Sequence, residues 1–166
     1  MLPFRVGERA WNWWFKPLRD EKSFSIGFDA FYFCFIAGLC EGRKEDLRQD
    51  ETEELVSYFP ERYKARGRLL VALFLISELR KLGITMQDKK EVHSVIAKLI
   101  SRDAQNFLSE EGVREFNRYA YGGYEVLQDW FDGDQPRTLD VFLRVFQRKV
   151  NELLPSAPPS STHEVK

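Results

Sequence analysis

Few residues of this chain have the type and spacing that catalysis requires. Two histidines occur, His93 and one close to the C-terminus, so any His-based triad would have to be built on His93. No nucleophile pattern lies near it and its neighbours are charged, which marks it as a surface residue rather than a base or a metal ligand. Cys34 and Cys40 are the only cysteines, six residues apart on what reads as one helix. They fall on different faces and can build neither a disulfide framework nor a zinc site. Packed thiols in a reducing cytoplasm are expected. Asp132 and Asp134 are close enough for acid–base work, yet DGDQP is a turn sequence that favours aspartates for its own geometry. Neither a Walker loop nor a dinucleotide fingerprint is present. A nuclease wants several carboxylates and a lysine on adjacent rigid elements, whereas six acids gather here in the solvated run RKEDLRQDETEEL. The expectation is a protein that is not an enzyme, with no cofactor and no metal.

Two other groupings suit binding. Trp11, Trp13 and Trp14, three of the four tryptophans, are followed by Phe15. On a helix Trp11, Trp14 and Phe15 share a face. They suit a lid over the core, an anchor for a partner protein, or a platform for stacking bases. Arg62, Lys64, Arg66 and Arg68 alternate through ERYKARGR, the densest basic cluster in the chain. On a helix the four spread through roughly 600° and are a solvated helix start; in an extended segment they share a side that could follow a phosphate backbone. With Arg43 and Lys44 they make the candidate duplex-DNA surface. Formal net charge is −1, from 25 basic and 26 acidic residues, so any nucleic-acid contact must be local.

The elements that position these groups read as helices. FSIGFDAFYFCFIAGLC, Phe24 to Cys40, holds six aromatics within Phe24–Phe35 and a single charge, Asp29. Too long for a strand and too short for a membrane span, it is expected to be a central buried helix, with Phe28, Phe31 and Phe35 on one face and Gly42 as its stop. Leucines cover most of the circumference of RLLVALFLISELRKLG, so Arg68–Leu82 is expected to be largely buried and to pair with the central helix. Thr85 with Asp88 predicts a capping box for a third helix striped by Val92, Val95, Ile96, Leu99 and Ile100. Ser109 caps a fourth, with Phe116, Tyr119 and Ala120 inward. Thr138 caps a last one striped by Leu139, Phe142, Phe146, Val150 and Leu153.

In YAYGGYEVL the paired Gly122 and Gly123 require either a turn with positive φ or close approach of another helix or a partner chain. No Asn, Asp or Pro stands beside them, which favours close approach. Trp11, Trp13, Trp14, Gly122, Gly123 and Tyr124 are accordingly the candidate partner-binding residues. The expected fold is an all-α, single-domain bundle of five to six helices over residues 1–154, with no convincing strand pair. A disordered Pro/Ser-rich tail is expected over residues 155–166. The N-terminus lacks a signal peptide's apolar run, and no stretch suits a membrane, so a cytoplasmic protein is expected.

Two stretches carry a family resemblance: FDAFYFCFIAGLCEGRK, and REFNRYAYGGYEVLQDWF with its run Tyr119-Ala-Tyr-Gly-Gly-Tyr-Glu-Val-Leu. In this order, around a leucine-rich middle helix, they resemble the small DNA phosphorothioation-associated proteins of the type called protein 4. Those are encoded beside bacterial sulfur-modification and restriction operons of the Dnd class. The similarity covers about residues 20 to 154 and leaves out the tryptophan-rich start and the tail. It implies a bacterial host and a role in restricting unmodified foreign DNA, and it supplies no catalytic residues to carry over. The expected function is a non-catalytic accessory subunit that binds a larger protein of an antiphage complex, with room for a homo-oligomer. Duplex DNA held by the basic residues is the alternative.

Overall fold

The computed structural model describes residues 2–20 and 26–153. Phe24 and the tail from Pro155 lie outside the described residues. The described chain is an all-α bundle with one small strand pair. Strand β1 (Arg5–Gly7) leads into α1, a continuous helical stretch over residues 8–20 whose middle, Trp11–Phe15, widens into a π-type turn. The aromatic-rich helix α2 (Gly27–Glu41) follows, then a loop with a 3-10 turn at Gln49–Glu51, and β2 (Thr52–Glu54). Helices α3 (Glu61–Lys81), α4 (Lys89–Leu99), α5 (Glu110–Trp130) and α6 (Leu139–Leu153) complete the fold.

Helix α2 begins at Gly27, with Ile26, expected to be helical, extended ahead of it, and ends at the expected glycine. The Asp29 carboxylate accepts the Ile26 N–H at 3.2 Å, and the Asp29 N–H donates to the Ile26 carbonyl at 3.0 Å. An acid in the first turn also suits the helix dipole. Gly42 takes φ 62°, and the Arg43 N–H folds back onto the Gly38 carbonyl at 2.8 Å. Phe28, Phe31 and Phe35 are all buried. The Phe35 ring stacks on Phe116 with centroids 3.9 Å apart, and Phe74 meets Phe116 edge-on at 5.3 Å. Phe4 packs within 5.1–5.5 Å of Phe28, Phe31, Phe59 and Phe116. The aromatic core is therefore sealed by the residue just ahead of β1.

The partner of α2 differs from expectation. It is α5, not the leucine-rich α3. Gly38 and Gly123 meet where the two helices cross: a Cβ on Gly123 would stand 1.6 Å from the Cys34 carbonyl oxygen, and one on Gly38 would stand 2.1 Å from that of Tyr119. Gly122 faces the Arg43 carbonyl in the same way, at 2.5 Å. Neither glycine of the pair has positive φ and α5 runs through both, so close approach is the correct reading of YAYGGYEVL and a turn is not. Helix α3 buries Tyr63, Gly67, Leu70, Val71 and Phe74, but leaves Leu69 59%, Leu73 38% and Ile76 50% exposed. With apolar residues over most of its circumference, the leucine pattern alone did not indicate which face is covered.

Three smaller corrections concern the connections. A strand pair exists after all: β1 and β2 run antiparallel with Arg5 opposite Glu54, Val6 opposite Glu53 and Gly7 opposite Thr52. Arg5 fixes the register, donating from Nε to Thr52 Oγ1 at 2.7 Å and from Nη1 to Glu54 at 2.9 Å. Thr85 does not cap α4. Its N–H and hydroxyl both donate to Asp88 Oδ2 at 2.8 Å, which closes a turn ahead of a helix that starts at Lys89. Ile100 leaves the α4 stripe to form a β-bridge with Leu108. The caps at Ser109 and Thr138 are as read, accepting the N–H of Gly112 at 3.0 Å and of Val141 at 3.3 Å.

The packing makes a graded prediction for urea unfolding. Phe35→Ala should cost ~3–5 kcal/mol. Gly123→Ala gains ~1 kcal/mol of helix propensity, yet should still be destabilising, because a methyl cannot fit 1.6 Å from a carbonyl oxygen. Leu69→Ala, on the exposed face, should stay within about 0.5 kcal/mol of the parent. Equal stability of Gly123→Ala and the parent would refute the helix crossing.

Candidate functional site

The six candidate partner-binding residues do not form an outward face. Trp14, Gly122, Gly123 and Tyr124 are buried and Trp11 and Trp13 are half-buried. Trp14 stacks on Phe142 of α6 at 4.7 Å, with an interplanar angle of 13°, and so acts as the lid. Trp11 lies on Phe15 at 4.5 Å, and Trp13 meets Tyr124 edge-on at 5.9 Å. The expectation of docking at the glycine pair is corrected. The close approach that explains the glycines is made by α2 of the same chain, which leaves no bare backbone for a partner.

The six candidate DNA-binding cations do not form one surface either. Arg62, Lys64, Arg66 and Arg68 lie on a regular helix and diverge. Arg62 approaches Asp29 at 3.5 Å, Lys64 pairs with Glu61 at 3.6 Å, and the Arg68 guanidinium lies 5.3 Å from the Phe107 ring centroid. Arg43 and Lys44 belong to the other end of α3. Arg43 pairs with Asp129 at 3.0 Å, and Lys44 is consumed in a part-buried ion cluster. The solvated helix start is the reading that fits.

Two polar clusters, one buried and one part-buried, were not visible in the sequence, because their members are distant along the chain. In the first, the Tyr63 hydroxyl donates to Asp29 Oδ1 at 2.6 Å. Burial, and then this bond to a carboxylate, hold the Tyr63 phenol well above its ordinary pKa. In the second, Lys44 Nζ sits 2.6 Å from Glu78 Oε1 and 2.6 Å from Glu115 Oε2, with side-chain exposures of 11–18% across the three. The Tyr119 hydroxyl donates to Glu78 at 2.8 Å, and Arg118 bridges Glu115 at 3.1 Å and Asp46 at 3.0 Å. Burial pushes the Glu115 carboxyl up, but the bonds from Lys44 and Arg118 outweigh it and leave its pKa below the usual value.

This second cluster sets two carboxylates and a lysine on adjacent rigid elements, the arrangement the spacing in the sequence did not suggest. Its charges are nonetheless spent on one another, with the ammonium held between both carboxylates. Among the described residues no group of three or more His, Cys, Asp or Glu side chains could hold a metal ion. A surface cavity of about 590 Å³ borders the cluster, and its arginines are likewise paired, Arg5 with Glu54, Arg114 with Glu110 and Arg118 with Asp46.

What remains unsatisfied is apolar. Leu69, Leu73 and Ile76 stand in water at steps of four and three along α3, on a helix whose opposite side is fixed in the core. No described helix is long and apolar enough to cross a membrane. No protein-family model, curated protein or solved structure matches this chain.

The part-buried ions yield two predictions. Lys44→Met leaves part-buried Glu78 and Glu115 without their shared cation, though Tyr119 and Arg118 still reach them, and should cost ~1–3 kcal/mol. Because the folded pKa of Glu115 is depressed, its stabilisation is complete above the unfolded value of 4.5 and is lost as pH falls through the folded one. Acid titration of stability should therefore show a limb below pH 4.5 that flattens in Lys44→Met. Separately, burial pushes the Cys34 thiol up to about 12. It should resist a disulfide reagent at pH 8 while the chain is folded and react on unfolding; rapid labelling of folded Cys34 would contradict its burial.

Proposed function

We propose that this chain is a non-catalytic accessory subunit of a bacterial defence system linked to DNA modification, and that it binds a larger protein partner in the cytoplasm. The observation that carries the binding role is the exposed Leu69, Leu73 and Ile76 face of α3. Apolar side chains left half in water contribute less to the fold than buried ones, and such faces are where partners dock. The internal pairing of Lys44, Glu78 and Glu115 supports a structural use of those ions. The defence setting rests on the resemblance of FDAFYFCFIAGLCEGRK and REFNRYAYGGYEVLQDWF to the phosphorothioation-associated proteins. A second reading, duplex DNA, draws support from the exposure of Arg62 and Arg66.

Co-expression with the proteins encoded beside this one separates the two. The chain should co-purify with one of them, and Leu73→Asp should abolish this without changing the far-ultraviolet circular dichroism spectrum. Retention of the partner by Leu73→Asp would refute the use of this face. Titration with duplex DNA should give no steep salt dependence; a log K against log[salt] slope of about −0.9 per phosphate contact would favour the second reading.

A further inference from the structure

We infer that the outer face of α3 takes a single amphipathic helix with acidic residues at both of its ends. This rests on the protein-binding role proposed above and specifies the partner. The apolar centre, Leu69, Leu73 and Ile76, falls within about 40° of one line along the helix, so it is one helix wide. Ala65 and Ala72, both exposed, flank it and leave shallow notches between the larger side chains. Steps of three and four with small residues between large ones suit a helix laid alongside rather than an extended strand.

Charge selects the occupant. Arg66 stands exposed before the apolar centre and Arg80 after it, and among the described residues neither makes an ion pair. They lie roughly 21 Å apart along the helix, about four turns. No carboxylate shares the face: Glu61 lies at its edge against Lys64, and Glu78 points the opposite way to Lys44. A second copy of this chain suits the face poorly. Antiparallel pairing of two α3 helices sets Arg66 near Arg80, parallel pairing sets each arginine beside its own copy, and both juxtapose like charges. A helix with glutamates or aspartates in its terminal turns meets both arginines and covers the leucines between them.

The test uses the full chain and two synthetic peptides of about 18 residues, long enough to span both arginines. They share one leucine and isoleucine pattern at three- and four-residue steps; one has Glu and the other Lys in its terminal turns. By fluorescence anisotropy at low salt, the Glu-ended peptide should bind at least about tenfold more tightly than the Lys-ended one. The double variant Arg66→Glu with Arg80→Glu should remove or reverse that preference. Leu73→Asp should weaken both peptides with the circular dichroism spectrum unchanged. Equal binding of the two peptides, or binding of neither, would overturn the inference. So would a dimer in sedimentation velocity that Leu73→Asp disperses, or adsorption to phosphatidylglycerol vesicles in preference to the Glu-ended peptide. Failure of the peptide alongside Leu73-dependent co-purification overturns the acidic helix alone. Absence of any co-purifying neighbour overturns the subunit role itself.

Discussion

The structure depends on how closely α2 and α5 approach each other. Gly38 and Gly123 let two backbones meet where any Cβ would collide with a carbonyl, and Gly122 extends the contact to the exit of α2. The depth of that crossing determines the rest. It seats Phe35 on Phe116 at stacking distance, and it lays the chain after Gly42 across α5, where the Glu45 N–H bonds the Arg118 carbonyl at 3.1 Å. It also places Lys44 within reach of Glu115. Glycine inside a helix costs ~1 kcal/mol relative to alanine. Burying several aromatic rings, at ~1.5–3 kcal/mol each, more than offsets three such residues.

What was legible in the sequence was local. The central helix, its glycine stop, the Ser109 and Thr138 caps and the choice of close approach over a turn at Gly122 and Gly123 follow from spacing and from backbone chemistry. What was not legible needed partners far away in the chain. Thr52–Glu54 is too short and too acidic to read as a strand, and becomes one because Arg5 binds both Thr52 and Glu54. Asp29 alone in an apolar run was a signal that a buried donor must exist, but nothing local pointed to Tyr63. The orientation of α3 was hidden for another reason. Apolar residues around most of its circumference carry little angular information, and only Arg62, Arg66 and Arg80, which fall on one line with Leu69 and Leu73, mark the exposed face.

That orientation has a physical cause beyond apolar packing. Tyr63 at one end of α3 donates to Asp29 in the first turn of α2, and Glu78 at the other end holds Lys44 just beyond the last turn of α2. The two helices therefore run parallel, tied at both ends by polar contacts on the same side of α3. Turning α3 to bury Leu69 and Leu73 would expose Leu70, Val71 and Phe74 instead, so the apolar terms nearly cancel. The polar terms do not. Such a rotation would strip Glu78 and Lys44 of each other and leave Asp29 without Tyr63, and breaking a part-buried charged pair costs ~1–3 kcal/mol. The outward face is thus held in water by polar contacts on the far side of the helix. A preformed surface is what a docking helix can engage without first paying for reorganisation of this chain.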